Sequence, residues 1–146
     1  MTSKFVLALQ VFSFFSLQIL AQEDYPDPPN CPTSGENGLN AKKRKSLAAQ
    51  IEGIKDQCDG GPEYICFFES LAGKELQNPN NYRNNYKEII KLEDDGERQA
   101  YSSTEAFLNA TAKNWTNELK NMGQKYEYGC QCSDENGKYK VVCFFV

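Results

Sequence analysis

Two glutamates, Glu97 and Glu118, stand 21 positions apart in the segment Gly96 to Leu119, GERQAYSSTEAFLNATAKNWTNEL. Paired carboxylates of this kind act as acid and base, or acid and nucleophile, in glycoside hydrolysis. Nothing else in the chain supports that chemistry. The sequence contains no histidine, which removes the commonest general base, and no aromatic pattern suited to a sugar can be placed. The expectation is therefore a protein without catalytic activity, with a residual hydrolase using Glu97 and Glu118 as the lesser alternative. A second carboxylate group, Glu93 to Gly96 (EDDG), lacks the alternating ligand spacing of a calcium loop and reads as a solvated acidic turn. No cofactor or metal is expected.

Cysteine is the other chemistry-bearing residue. The spacing Cys130-x-Cys132 could form half of a metal site, but the chain has neither a histidine nor a second close cysteine pair to complete it. Met1 to Ala21 carries one charge, Lys4, then the apolar run Phe5 to Leu20 and the small residue Ala21. That run is shorter than a membrane-spanning helix requires and reads as a cleaved signal peptide. Export makes the six cysteines Cys31, Cys58, Cys66, Cys130, Cys132 and Cys143 a disulfide framework, which also argues against a cysteine nucleophile.

Charge narrows the partners. Loss of Lys4 leaves 15 of the 16 basic residues against 20 acidic ones, a net charge of −5. A mildly acidic domain lacks the electrostatic footprint of a nucleic-acid binder. The basic run Lys42 to Lys45 reads as a solvated helix face, and no later apolar stretch offers a membrane anchor.

These residues need elements to hold them. Glu23 to Thr33, EDYPDPPNCPT, is too rich in proline for helix or central strand and reads as an extended leader tied down at Cys31. Asn40 caps a helix over Asn40 to Lys55 with Leu47, Ile51 and Ile54 on its apolar side. Glu63 to Leu76 is read as helix, although Tyr64 to Phe68 also suits a short strand. Gln77 to Asn85 is an asparagine-rich loop and Tyr86 to Leu92 a short helix. Gly96 onward forms a loop feeding one long amphipathic helix whose stripe is Leu108, Ala112, Trp115, Leu119 and Met122. Two sequons, at Asn109 and Asn114, flank that stripe at roughly 100° to 120°, so both asparagines are expected to be able to carry glycan.

The end of the chain carries the clearest strand signal. Tyr126, Tyr128, Cys130 and Cys132 alternate with Glu127, Gly129 and Gln131, while Lys138 to Val146 is apolar on both faces beyond Lys140. Asn136-Gly137 between them is a hairpin turn signal. With those two as the loop residues, opposed positions have numbers summing to 273, and Cys130 faces Cys143 at a non-hydrogen-bonded pair, where side chains approach most closely. Cys130 is therefore paired with Cys143, and Cys31, Cys58, Cys66 and Cys132 are expected to pair among themselves.

Three segments resemble the cysteine-rich secretory, antigen-5 and pathogenesis-related (CAP) superfamily, particularly the activation-associated secreted proteins of parasitic nematodes and their reduced relatives. Asn37-Gly38-Leu39-Asn40 with Arg44 is similar to the opening helix, although Ile51-Glu52 and Lys55 stand where the family has His-Asn and Arg. Gly96-Glu97 resembles the Gly-Glu-Asn motif, and Trp115-x-x-Glu118 the Trp-x-x-Glu helix. Tyr128-Gly129-Cys130 and Val141-Val142-Cys143-Phe144 resemble the closing strands. The resemblance implies a cleft in which two histidines and two glutamates can hold zinc. Only Glu97 and Glu118 remain here, and two carboxylates alone suit zinc poorly, so the cleft is expected to be a remnant.

The resulting expectation is an α+β fold, a reduced α/β/α sandwich with a small antiparallel sheet, crosslinked by disulfides. Residues 1–21 are the signal peptide, 22–38 the extended Pro-rich leader and 39–146 a single CAP-like domain. The function implied is that of a secreted, non-enzymatic parasite protein binding an extracellular host partner. Carriage of a small lipid or sterol is the alternative.

Overall fold

The computed structural model describes residues 26–32, 39–55, 61–79 and 88–146. The expected signal peptide, residues 22–25 and 33–38 of the expected leader, Cys58, most of the asparagine-rich loop and the first two residues of the expected helix at Tyr86 lie outside these ranges. Chain order is α1 (Ala41–Lys55), β1 (Glu63–Tyr64), α2 (Cys66–Gln77), β2 (Ile90–Glu97), a 3-10 turn (Arg98–Ala100), α3 (Thr104–Asn114), α4 (Thr116–Asn121), β3 (Glu127–Glu135) and β4 (Lys138–Phe145).

The C-terminal hairpin is the centre of the sheet. Asn136 and Gly137 have φ of 53° and 75°, the left-handed values a type I′ turn requires, and Glu135 pairs with Lys138. The resulting register sets Cys130 opposite Cys143, and the two are disulfide-bonded. Strand order is β1-β3-β4-β2, with β2 antiparallel to β4 and the two-residue β1 parallel to β3. The sheet is thus mixed and four-stranded, where a small antiparallel sheet is expected from sequence.

Strand β4 fills both faces, as its unbroken apolar run requires. Tyr139, Val141, Cys143 and Phe145 join Leu47, Ile51, Phe107, Leu108, Trp115 and Leu119 in one core, beneath α1, α3 and α4. Val142 and Phe144 meet Phe68, Leu71 and Ala72 of α2 in a second core on the opposite face. Helices therefore cover both sides of the sheet, which is the reduced α/β/α sandwich. Helix α2 comes unusually close. A Cβ on Gly129 would lie 2.4 Å from the Glu69 backbone nitrogen and 2.6 Å from the Ile65 carbonyl oxygen. Only glycine lets β3 pass under the first turn of α2.

Several local expectations are corrected. Ile90 to Glu97 is a strand, not the end of a helix followed by an acidic turn. Its even positions Leu92 and Asp94 are half-buried on the core side while Glu93, Asp95 and Glu97 face outward, a period of two that the acidic composition masks. Gly96 and Glu97 accordingly end β2 and do not begin a loop. The expected single long helix is two, α3 and α4, meeting at Trp115 with φ −79° and ψ 5°. Leu108, Ala112, Trp115 and Leu119 are nevertheless all buried, so the stripe survives the break. Ser103 caps α3 by accepting from the Ala106 N–H at 3.1 Å, and Asn40 caps α1 by accepting from the Lys43 N–H at 2.9 Å.

Candidate functional site

Among the described residues, Arg44, Tyr64 and Glu69 form one hydrogen-bonded group in the interior, which reaches Gln131 through the backbone of Leu39. Arg44 lies in the basic run read as solvated, yet it is buried. It occupies the same α1 face as Leu47, Ala48 and Ile51, one turn earlier. Its Nε and Nη2 donate to Glu69 Oε2 and Oε1 at 2.6 and 2.8 Å, a two-pronged pair with a wholly buried carboxylate on α2. Nη2 also donates to the Leu39 carbonyl oxygen at 3.2 Å. The Tyr64 hydroxyl donates to Glu69 Oε2 at 2.6 Å and accepts from the Cys130 N–H at 3.3 Å. Gln131 Oε1 accepts from the Leu39 N–H at 2.7 Å. Beyond β1, this cluster and the Cys31–Cys66 disulfide join the leader, α1 and α2 beside β3.

Further along α1, Glu52 accepts from the Tyr128 hydroxyl at 2.8 Å, and the buried Lys55 donates to the Gly123 carbonyl oxygen at 2.6 Å. Burial, then the neighbouring carboxylates, push the Tyr64 and Tyr128 phenols well above their ordinary range. The hydrogen bond to Glu69 raises Arg44 against the opposing effect of its own burial. Neutral phenols and a charged pair locked to each other hold elements together. All of them are buried.

The residues read as chemical from the sequence lie elsewhere. Glu97 is exposed at the hairpin end of β2, and its Oε1 pairs with Lys138 Nζ at 3.2 Å. Glu118 is exposed on α4. Among the described residues no three His, Cys, Asp or Glu side chains gather as a metal ion would need. The zinc constellation implied by the resemblance does not fit this donor set, since no imidazole exists and one of the two carboxylates is neutralised by a lysine. A cleft of about 340 Å³ opens between the end of α2 and strands β2 and β4, walled by Glu75, Glu93, Asp94, Asp95 and Lys140 with Leu76 and Val142. Glu75 receives Lys91 there at 3.1 Å.

The cysteines divide. Cys31 pairs with Cys66, within the expected set of four. Cys132 does not pair: it is a buried free thiol whose titration burial pushes up to about 11. The other described cysteines are already bonded, Cys31 to Cys66 and Cys130 to Cys143, and Cys132 is shut into the larger core, where Lys43 and Glu105, at the N-terminal ends of α1 and α3, are among its charged neighbours. Cys58 lies outside the described residues.

Sequence reasoning missed Arg44, Tyr64 and Glu69 as a unit. A signal for Arg44 was present, because it precedes Leu47, Ala48 and Ile51 by three, four and seven residues and so falls on the apolar stripe.

A family model described as "Ancylostoma-associated secreted protein related" matches residues 31–145. No curated protein sequence matches the chain. Among solved structures, the fold is similar to the Ancylostoma-secreted protein Ac-ASP-7, with TM-score 0.55 and 17% identity over 73% of this chain and 69% of that one. The hookworm platelet inhibitor gives TM-score 0.58 and 15% identity over 80% and 74%. NaASP2, solved with Zn2+, gives 0.55 and 14% over 77% and 83%. At these identities the likeness speaks for the fold, the CAP fold the closing strands and the Trp-x-x-Glu segment point to. The match across almost all of the crosslinked domain decides the family: the chain belongs to the Ancylostoma-associated secreted protein related family.

Proposed function

We propose that this chain is a secreted, non-catalytic binding protein of a parasite, and that its partner is an extracellular or cell-surface protein of the host. One observation carries the reading. The interior polar groups, Arg44 with Glu69 and Tyr64, and Glu52 with Tyr128, are bonded to one another across elements, whereas Glu97 and Glu118 face solvent on separate elements. The fold retains its crosslinked scaffold and loses the imidazoles of its only chemical constellation. Binding through a rigid surface is what such a scaffold can still do. Support for the class of partner comes from the similar fold of the hookworm platelet inhibitor.

The test uses the mature chain, secreted from eukaryotic cells with its disulfides formed and immobilised over plasma and detergent-solubilised platelet and leukocyte surface proteins. Lipid extracted from the same preparation is weighed by mass spectrometry. A saturable protein partner with lipid well below one equivalent is expected. Stoichiometric lipid without a protein partner would overturn the proposal in favour of a carrier. Glycoside hydrolysis abolished by Glu97→Gln or Glu118→Gln would overturn it in favour of an enzyme.

A further inference from the structure

The two sequons of α3 are equivalent in sequence and unequal in the fold. Helices α1 and α3 run side by side, joined along one seam by polar rungs four residues apart. Lys42 Nζ lies 3.6 Å from Glu105 Oε1, and Ser46 Oγ donates to Asn109 Oδ1 at 3.2 Å. Asn109 is thus the second rung of an interhelical seam, and it is half-buried. Its amide is turned toward α1 by that bond. A glycan on its nitrogen would have to emerge between two packed helices, or break the rung and rotate the side chain away. Because N-glycans are added to the chain before the domain closes, a sugar there would oppose the docking of α1, whose Leu47, Ala48 and Ile51 complete the larger core.

Asn114 has none of these constraints. It is the last residue of α3, exposed, at the joint where Trp115 dips into the core and the chain re-enters helix as α4. The sequon's third residue, Thr116, anchors the joint by donating from Oγ1 to the Lys113 carbonyl oxygen at 2.7 Å. Trp115 fixes the backbone from inside while Asn114 faces outward from the same turn.

We infer that Asn114 is the N-glycosylated residue of this protein and that Asn109 remains unmodified. The donor is a lipid-pyrophosphate-linked oligosaccharide. The Asn114 side-chain nitrogen forms a bond to the anomeric carbon and gives up one proton, while the bond from that carbon to the pyrophosphate oxygen breaks and the lipid pyrophosphate leaves. The requirement is passage through the secretory route, so the inference stands apart from any partner the protein binds. One consequence concerns that partner: a glycan at the α3–α4 joint shields the exposed side of α4, Glu118 included, and leaves the α2 side of the sheet open.

The full chain is expressed in insect cells, and the secreted protein is weighed before and after N-glycosidase treatment, with the released site located as Asp by peptide mapping. A single glycan is expected, converting Asn114 and leaving Asn109 as Asn. Asn114→Gln and, separately, Thr116→Ala should each abolish the entire mass shift, while Asn109→Gln should leave it unchanged. Modification at Asn109, occupancy of both sites, or secreted protein with no shift would each overturn the inference.

Discussion

At the scale of single residues, the decisive group is the buried pair of Arg44 and Glu69. Removing one partner of a buried ion pair leaves a desolvated charge and costs about 3–5 kcal/mol, whereas replacing both with apolar residues costs far less. Arg44→Met or Glu69→Leu alone should each lower unfolding stability by about that amount, and the double variant should recover most of the loss in a urea-denaturation cycle. Additive single effects would show that the two groups act independently. The phenols make a second prediction at this scale. Tyr64 and Tyr128 hold their protons above the ordinary range, so the native state binds a proton more tightly there than the unfolded chain does. Their contribution is whole below about pH 10 and is lost as pH rises from the unfolded values through the native ones. Part of the phenolate absorbance should therefore appear only together with cooperative alkaline unfolding. A smooth titration of all tyrosines before any loss of structure would contradict this.

At the scale of elements, the fit of α2 onto β3 turns on one missing methyl group. Gly129→Ala would drive a Cβ into the backbone of Ile65, Phe68 and Glu69, none of which can move without lifting the helix. Overpacking of this sort costs about 1–3 kcal/mol and sometimes more. The expected result is reduced thermal stability together with faster hydrogen exchange in α2. Wild-type exchange in α2 would show that the helix does not depend on that close approach. The expectation of a short helix over Tyr86 to Leu92 fails on the same kind of local evidence. Lys91, Glu93, Asp95 and Glu97 read as a charged turn by composition, yet as the outer row of an edge strand they are well placed, since charge on an edge discourages pairing with other chains.

At the scale of the whole molecule, the net charge of −4 of the full sequence and the local pairing of its basic run give one behaviour. Lys42 meets Glu105 at 3.6 Å and Lys45 meets Asp27 at 2.5 Å, while Arg44 is withdrawn into the core. Three of the run's four cations are thereby balanced by a carboxylate or withdrawn from the surface. The mature protein should pass through a heparin column at physiological salt, and retention to several hundred millimolar salt would reveal a basic surface these pairings do not leave. Among the described residues no helix is long and apolar enough to cross a membrane.

The sequence alone determined the features that depend on local periodicity and short covalent reach. Asn136-Gly137 fixed a two-residue turn, the turn fixed the register, and the register put Cys130 against Cys143. The apolar stripe from Leu108 to Leu119 likewise followed from a repeat that holds even across the bend at Trp115. The resemblance to a secreted CAP family rested on short motifs at the matching spacing. Tertiary structure decided what depends on which face meets which neighbour. It turned Arg44 inward onto a carboxylate 25 residues away, made a strand of an acidic segment, left Cys132 a buried thiol, and set Asn109 in a seam while Asn114 faces solvent. A residue's own type and spacing cannot report these outcomes, because each is set by desolvation and packing against atoms distant in sequence. Hydrophobic period is carried by the chain itself; partner choice exists only once the layers have closed.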